Sequence, residues 1–132
     1  MNLFIDTSGF IAVLNADDSQ HPEAKESWTS ILESDVRLVT TNYVLVETYA
    51  LLQRRLGMPA VKLFADEIVP ILHVEWVPPE WHKAAMAVLL ASSRRKLSLV
   101  DCVSFGVMKD LGIKEAFTLD PHFKERGFQC IP

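Results

Sequence analysis

The sequence has 132 residues, of which 49% are hydrophobic and 23% are charged. This size and composition are typical of one globular domain, 1–132, and exclude disordered and collagen-like chains. The longest apolar run, 84–91, is far shorter than the ~20 residues of a membrane-spanning helix, and no basic flank precedes Asp6. We therefore expect neither a membrane span nor a signal peptide.

Seventeen acidic residues against thirteen Lys and Arg residues give a formal net charge of −4. An acidic chain lacks the basic footprint that usually marks nucleic-acid binding. The net charge is a weak guide, however, if the acids are concentrated at one point and the bases lie elsewhere. Cys102 and Cys130 form no zinc or disulfide pattern, so we expect a reducing, cytoplasmic location.

Short apolar runs alternate with helical patterns along the chain. In the first half we predict a strand at 3–5, a short helix ending at 14, a helix at 22–34, a strand at 36–39 and a helix at 43–56. In the second half we predict a helix at 59–72, a strand at 73–77, helices at 80–93 and 98–111, a strand at 116–118, a helical turn from Asp120 and a strand at 128–131. Gly57 and Gly112 stand where two helices should end. Such alternation implies parallel strands, hence a three-layer α/β/α fold with a parallel sheet of about five strands.

Three aspartates occupy positions that suit either chemistry or helix capping. Asp6 ends the first predicted strand and Asp120 follows the fourth, so both should face the crevice where open α/β sheets bind ligands. Asp101 opens the helix at 98–111. Asp6 and Asp120 are also good N-caps, and Asp101 has capping-box spacing from Ser98. The residues alone leave both interpretations open.

Glu47 is harder to interpret structurally. Its neighbours one turn away include Tyr43, Ala50 and Leu51, and no Lys or Arg lies three or four residues away. A carboxylate on such a face needs a cation from elsewhere, unless the face lies at an exposed edge. Other chemistries have little support, because the chain has no phosphate-binding glycine loop and no nucleophile elbow. Four histidines without metal-ligand spacing are interpreted as surface or structural residues: His21, His73, His82 and His122.

Four motifs, each with one of these acids, follow one another along the chain. They are Leu3-Phe4-Ile5-Asp6-Thr7-Ser8, Thr40-Thr41-Asn42-Tyr43-Val44-Leu45-Val46-Glu47, Ser98-Leu99-Val100-Asp101-Cys102 and Phe117-Thr118-Leu119-Asp120-Pro121-His122-Phe123. Together they resemble the PIN domain, the nuclease fold of VapC-type toxins. The resemblance covers the whole chain and implies a parallel sheet with helices on both faces. Cys102 and His122 depart from the residues frequent in the family.

The resemblance implies a catalytic set of Asp6, Glu47, Asp101 and Asp120. We expect Asp6, Asp101 and Asp120 to bind metal, Glu47 to complete the site or act through water, and Thr7 or Thr118 to be hydrogen-bond partners. Carboxylates gathered in one crevice repel one another, and Mg²⁺ or Mn²⁺ relieves this repulsion because hard cations prefer oxygen ligands. Such ions can activate water for attack on phosphorus. Without these four acids, thirteen acids remain and equal the thirteen bases.

Two basic clusters are candidate RNA contacts, since phosphate contacts supply most of the affinity for nucleic acid. They comprise Arg54, Arg55, Arg94, Arg95 and Lys96. An equally good interpretation is that these basic residues complement the negative ends of helix dipoles at helix C-termini.

The leading hypothesis is a metal-dependent endoribonuclease that is the toxin of a type II toxin–antitoxin pair. The resemblance further implies an RNA substrate, a VapB-like antitoxin, a homodimer and no membrane partner. One alternative is a non-catalytic PIN-like module that binds RNA or protein, but such a module should have lost a site acid. Another is a receiver or phosphatase domain, which would need its acceptor Asp later in the chain or a D-x-D motif after the first strand.

Overall fold

The computed structural model describes residues 1–132 and has at its centre a five-stranded sheet in which all neighbouring strands are parallel. The strands are β1 (Asn2–Ile5), β2 (Arg37–Thr41), β3 (His73–Glu75), β4 (Glu115–Phe117) and β5 (Gln129–Ile131). Their order is β3-β2-β1-β4-β5, with Phe4 of β1 opposite both Val39 of β2 and Ala116 of β4. The parallel sheet expected from the sequence is confirmed.

Seven α-helices connect the strands. They are α1 (Thr7–Leu14), α2 (His21–Leu32), α3 (Asn42–Arg55), α4 (Met58–Leu63), α5 (Pro79–Ser92), α6 (Leu99–Leu111) and α7 (Pro121–Glu125). Gly57 and Gly112 follow α3 and α6 with φ of 88° and 67°, the left-handed region that favours glycine, as the sequence predicts. No helix combines the length and the apolar character that crossing a membrane requires.

The helix predicted at 59–72 is shorter than expected. α4 ends at Leu63, and the chain continues as a π-helical segment at Phe64–Ile68 and a 3-10 turn at Val69–Ile71. Pro70 explains why no α-helix continues through Val69–Ile71, because proline has no N–H to donate and its ring collides with the carbonyl four residues earlier in an α-helix. The irregular segment still contributes Phe64 and Ile68 to the core.

The sheet carries a hydrophobic layer on each face. On one face, the ring of Phe123 lies 6.4 Å from Phe4 and 4.9 Å from Phe105 of α6. Phe117 pairs with Ile5, the residue after Phe4, so it points to the other face. There it packs 5.8 Å from the ring of Trp28 in α2. Helices therefore cover both faces, and the three-layer α/β/α prediction is confirmed.

The order of the strands opens a crevice at the carboxyl ends of β1 and β4. The chain runs from β1 outward to β2 and β3, and then crosses back to β4 on the opposite side of β1. In α/β sheets, ligands bind where the connections from adjacent strands leave in opposite directions. Asp6 directly follows β1 and Thr118 directly follows β4, so both residues stand at this point.

Gly9, in the first turn of α1, lies directly against β4. A Cβ atom at Gly9 would lie 2.4 Å from the Phe117 ring and 2.5 Å from the Phe117 carbonyl oxygen. Any other residue would therefore push the start of α1 away from the sheet. The sequence pattern gave no sign of this, because a glycine inside a helix ordinarily indicates only a weak helical position.

We expect Gly9→Ala to destabilise the protein by about 1–3 kcal/mol, the usual cost of overpacking a well-packed site. Urea unfolding measures the effect. Gly106→Ala is the matched control, since Gly106 is also helical but a Cβ there meets nothing within 4 Å. This control should stabilise the protein by about 0.5–1 kcal/mol. Destabilisation of the same size in both variants would contradict the close approach of α1 to β4.

Candidate active site

The cleft at the carboxyl ends of β1 and β4 contains all four acidic side chains predicted for the site. It has a volume of about 510 Å³, and its wall includes Asp6, Glu47, Asp101 and Asp120. These residues come from four separate segments: the ends of β1 and β4, the second turn of α3 and the first turn of α6. Folding thus brings together acids that are up to 114 positions apart in the sequence.

Asp6 is buried and is held by two hydroxyl groups. Ser8 Oγ and Thr118 Oγ1 donate to Asp6 Oδ2 at 3.0 and 3.1 Å. The backbone N–H groups of Leu119 and Asp120 donate to these hydroxyl oxygens at 2.9 and 3.0 Å, and the two hydroxyl oxygens lie 3.0 Å from each other. Asp6 stands at the N-cap position of α1, but its side chain accepts no capping bond. The capping interpretation of Asp6 is therefore wrong.

The surroundings of Asp6 disfavour its charged form. Burial, followed by the charge of Asp101, raises the pKa of Asp6 from 3.8 to about 7, although the hydrogen bonds from Ser8 and Thr118 act in the opposite direction. The ionised carboxylate is thus costly in this fold unless a cation compensates it.

The two threonines predicted as hydrogen-bond partners have different roles. Thr118 donates to Asp6, as expected. Thr7 lines the cleft, but its hydroxyl donates to the Val44 carbonyl at 3.5 Å and accepts from Thr48 Oγ1 at 3.2 Å, both on α3. Ser8 has the contact expected of Thr7. Thr7 is a hydrogen-bond partner of Asp6 through its backbone N–H, whereas its hydroxyl faces α3.

Asp101 serves the helix and the cleft at once. Ser98 Oγ accepts from the backbone N–H of Asp101 at 3.0 Å, and Asp101 Oδ2 accepts from the backbone N–H of Ser98 at 3.1 Å. The capping-box interpretation is confirmed. Burial raises the pKa of Asp101, and the charges of Asp120 and Glu47 add to the increase. The capping interpretation of Asp101 is therefore correct, and its side chain also lines the acidic cleft.

Asp120 caps α7 and contacts a histidine. Its Oδ1 accepts from the backbone N–H of His122 at 2.9 Å, which confirms the capping interpretation. The ring Nδ1 of His122 lies 2.7 Å from the same oxygen. One potential ligand atom from each of Asp101, Asp120 and His122 lies within 4.8 Å of the others. His122 was predicted to be a surface or structural residue, and its position two residues after Asp120 was the only signal of this placement.

Glu47 lies half-buried on α3 at the edge of the cleft. The three ion pairs in the structure are His73–Glu75, Arg94–Glu125 and His122–Asp120. Glu47, Asp6 and Asp101 therefore have no basic partner within 4.0 Å. For Glu47 this agrees with the absence of Lys and Arg one turn away in the sequence.

A family model described as PIN domain matches residues 3–129 of the chain. The chain belongs to the PIN domain family. Two relatives from strains of Mycobacterium tuberculosis, each described as 23S rRNA-specific endonuclease VapC20, are 37% identical over 127 residues. The matches cover 96% of this chain and 95% of each relative. The resemblance carried by the four motifs is confirmed.

Solved structures agree with this assignment. The crystal structure of Mycobacterium tuberculosis VapC20, described as a sarcin–ricin loop cleaving toxin, matches with a TM-score of 0.87 and 36% identity, over 98% of this chain and 99% of that chain. The structure of FitAcB from Neisseria gonorrhoeae matches with a TM-score of 0.69, over 100% of this chain and 97% of that chain. Its 13% identity shows the fold alone.

The basic residues predicted as RNA contacts fall into two groups in this PIN domain. Arg55 and Lys96 line the acidic cleft. Arg54, Arg94 and Arg95 are exposed and are not part of its wall. Arg94 pairs with Glu125 at 3.1 Å, a surface ion pair that stabilises the fold by less than about 1 kcal/mol. Arg54 and Arg55 lie in the last turn of α3, as the helix-dipole interpretation requires.

The acidic cleft of this PIN domain fits a hard divalent cation. Its donors are mainly carboxylate oxygens, with the imidazole of His122 close to Asp101 and Asp120, and carboxylate oxygens suit Mg²⁺ and Mn²⁺ better than softer metals. The buried Asp6 has no basic side chain to compensate its charge, and its raised pKa shows the resulting cost. A bound cation is the simplest way to offset that cost.

Proposed function

We propose that this PIN domain, 1–132, is a metal-dependent endoribonuclease that hydrolyses RNA phosphodiester bonds as the toxin of a type II toxin–antitoxin system. One observation carries the proposal: four acidic side chains from separate segments meet in one cleft at the carboxyl ends of β1 and β4, and three of them have no basic partner. A module that only bound RNA would gain nothing from repelling carboxylates at this position.

Asp6, Asp101 and Asp120 hold Mg²⁺ or Mn²⁺ in this proposal, and Glu47 completes the site. When bound, the cation supplies an activated water and stabilises negative charge on the leaving oxygen. The rest of the work belongs to the chain itself. Ser8 and Thr118 fix Asp6 Oδ2, and the capping box fixes the Asp101 carboxylate, so two of the ligands are oriented before any cation binds.

Arg55 and Lys96 bind phosphates of the RNA that flank the cleavage site. Both line the cleft that contains the acids, and neither forms an ion pair. Their charges offset the repulsion that a polyanion meets when it approaches the carboxylates of the cleft, which Asp18 also lines. This resolves the apparent conflict between a net charge of −4 and an RNA substrate.

Arg55→Gln and Lys96→Gln should each weaken RNA binding by about tenfold at low salt and reduce the salt slope by about one, the signature of a lost phosphate contact. Binding to a non-cleavable RNA, titrated at several salt concentrations, measures both quantities. Arg54→Gln is the matched control, because Arg54 lies in the same helical turn as Arg55 but outside the cleft. An equal loss of RNA binding in all three variants would mean that the basic residues in the cleft contribute no more to binding than an arginine outside it.

Ribosomal RNA is the proposed substrate class. The two relatives at 37% identity are described as 23S rRNA-specific endonucleases, and the VapC20 structure is described as that of a sarcin–ricin loop cleaving toxin. We extend this specificity to the present chain, with the sarcin–ricin loop as the first site to examine. Ribosomal RNA also implies the cytoplasmic location that the cysteine pattern favours.

A VapB-like antitoxin and a homodimer complete the proposal. An apolar hollow of about 340 Å³, lined by Tyr43, Val46 and Val100 among others, lies beside the cleft and shares Glu47 with it. Val46 is 68% exposed there. A protein that covers this hollow would also obstruct the acids, which is what an antitoxin must do.

The test is cleavage of total cellular RNA by the purified, antitoxin-free protein in Mn²⁺ or Mg²⁺, with new 5′ ends mapped by sequencing. We expect a discrete new end in the large-subunit ribosomal RNA that disappears in EDTA. Discrete ends in another RNA would support the proposed nuclease activity but show that ribosomal RNA is not the substrate. No new ends from folded protein would favour the non-catalytic module.

A further inference from the structure

We propose that His122 is a positioning residue for the metal site: it holds one oxygen of Asp120 so that the other oxygen is left for the cation. This inference rests on the function proposed above. It concerns a residue that the sequence pattern placed outside the site, and whose side chain is only 12% exposed in the structure.

Two donors from His122 meet on a single oxygen of Asp120. The backbone N–H donates to Asp120 Oδ1 at 2.9 Å, and the ring Nδ1 lies 2.7 Å from the same atom. An ionised carboxylate oxygen only accepts hydrogen bonds, so Nδ1 carries the hydrogen in this contact. Asp120 Oδ2 accepts no hydrogen bond from any protein group in the structure. One oxygen of the Asp120 carboxylate therefore accepts hydrogen bonds from His122, and the other remains available to a cation.

The fixed carboxylate lies next to a second proposed ligand. One potential ligand atom from each of Asp101, Asp120 and His122 lies within 4.8 Å of the other two. The Asp101 side chain is held in place by its own capping box. Hydrogen-bond partners that orient a metal ligand usually contribute 10- to 100-fold to metal affinity, roughly, because the ligand needs no reordering when the metal binds. His122 would thus prepare Asp120 as the capping box prepares Asp101.

The competing arrangement is direct metal binding through the other ring nitrogen, Nε2. Two substitutions separate the roles, because an Asn amide places its nitrogen near the position of histidine Nδ1, whereas a Gln amide reaches the position of Nε2. His122→Ala removes both nitrogens. Calorimetric titration of metal-free protein with Mn²⁺ gives the affinity of each variant without any cleavage assay, and urea unfolding in EDTA reports any separate loss of stability.

We expect His122→Ala to weaken Mn²⁺ binding by roughly tenfold or more, and His122→Asn to restore most of the affinity while His122→Gln does not. In the Asp120→Asn background, His122→Ala should cause no further loss, because the histidine acts through that carboxylate. Saturating Mn²⁺ should return the cleavage rate of His122→Ala to near the wild-type value, with only the half-saturating concentration raised.

Three kinds of result would overturn the inference. Unchanged Mn²⁺ affinity in His122→Ala would show that the contact is dispensable. Restoration by Gln rather than Asn, or a full further loss in the Asp120→Asn background, would identify direct metal binding. Failure of the wild-type protein to bind Mn²⁺ at all would remove the proposed metal site together with the role of His122. The first two kinds of result leave the proposed function intact, whereas the third would remove it. Failure of the inference about His122 can therefore be distinguished from failure of the proposed function.

Discussion

Asp101→Asn is expected to lower the rate of RNA cleavage by at least about 10³-fold, which corresponds to about 4 kcal/mol of lost transition-state stabilisation. The substitution removes a charge from the proposed metal ligands but keeps the shape of the side chain. An Asn oxygen can still accept the Ser98 N–H bond of the capping box, so the fold should persist. Single-turnover cleavage of the mapped RNA at saturating Mn²⁺ measures the effect.

Asp110→Asn is the matched control for Asp101→Asn. Asp110 lies on the same helix, is exposed and is not part of the acidic cleft. Its substitution should leave cleavage unchanged. Asp101→Ala separates the two roles of the residue further, because it should lose cleavage and also the hydrogen bond that Asp101 Oδ2 accepts from the Ser98 N–H, which is one half of the capping box. Cleavage by Asp101→Asn at the parent rate would show that the acidic cleft is not the catalytic site.

Asp6→Asn is expected to stabilise the metal-free protein above pH 7, by up to about 4 kcal/mol. The unfolded chain releases the Asp6 proton near pH 3.8, whereas the folded chain retains it to about pH 7. Between these values the folded state binds more protons, so the stability of the wild-type protein falls as the pH rises and the full cost is present above pH 7. Asn does not titrate, and it can still accept the Ser8 and Thr118 bonds.

Urea unfolding in EDTA at pH 5 and pH 8 tests this expectation. The advantage of Asp6→Asn over the wild-type protein should be larger at pH 8. In saturating Mn²⁺ the order should reverse, because only the wild-type protein gains the binding energy of the cation at this carboxylate. An advantage that does not change with pH, or a variant less stable than the wild-type protein in EDTA at pH 8, would contradict the raised pKa of Asp6.

Much of the fold can be predicted from the sequence, because the alternation of strands and helices is local information. Gly57 and Gly112 mark the ends of α3 and α6, and the five strands lie close to their predicted positions. The exception is the helix expected at 59–72, whose end follows from Pro70 and whose π-helical segment has no signal in the apolar periodicity. The placement of Asp6 and Asp120 follows from the rule that ligands bind at the carboxyl ends of parallel strands, whereas Glu47 and Asp101 were assigned to the same site from the family resemblance.

The details of the site were not predictable in the same way. Ser8 and Thr7 are adjacent hydroxyl residues, and their order in the sequence does not indicate that the Ser8 hydroxyl contacts Asp6 while the Thr7 hydroxyl contacts α3. For Asp101, helix capping leaves room for the proposed metal binding, since one carboxylate has two oxygens and the hydrogen bond from Ser98 occupies one of them. These side-chain contacts depend on tertiary packing, which does not follow from the pattern of residues in one sequence.

The metal dependence of cleavage is tested most directly by adding metal back to metal-free protein. Protein freed of metal by EDTA and dialysis would be incubated with the mapped RNA, first without metal and then with increasing Mn²⁺ or Mg²⁺, beside Asp101→Asn treated in the same way. We expect no cleavage without metal, restored cleavage by the wild-type protein and none by the variant. Cleavage at an undiminished rate in the metal-free protein would contradict it.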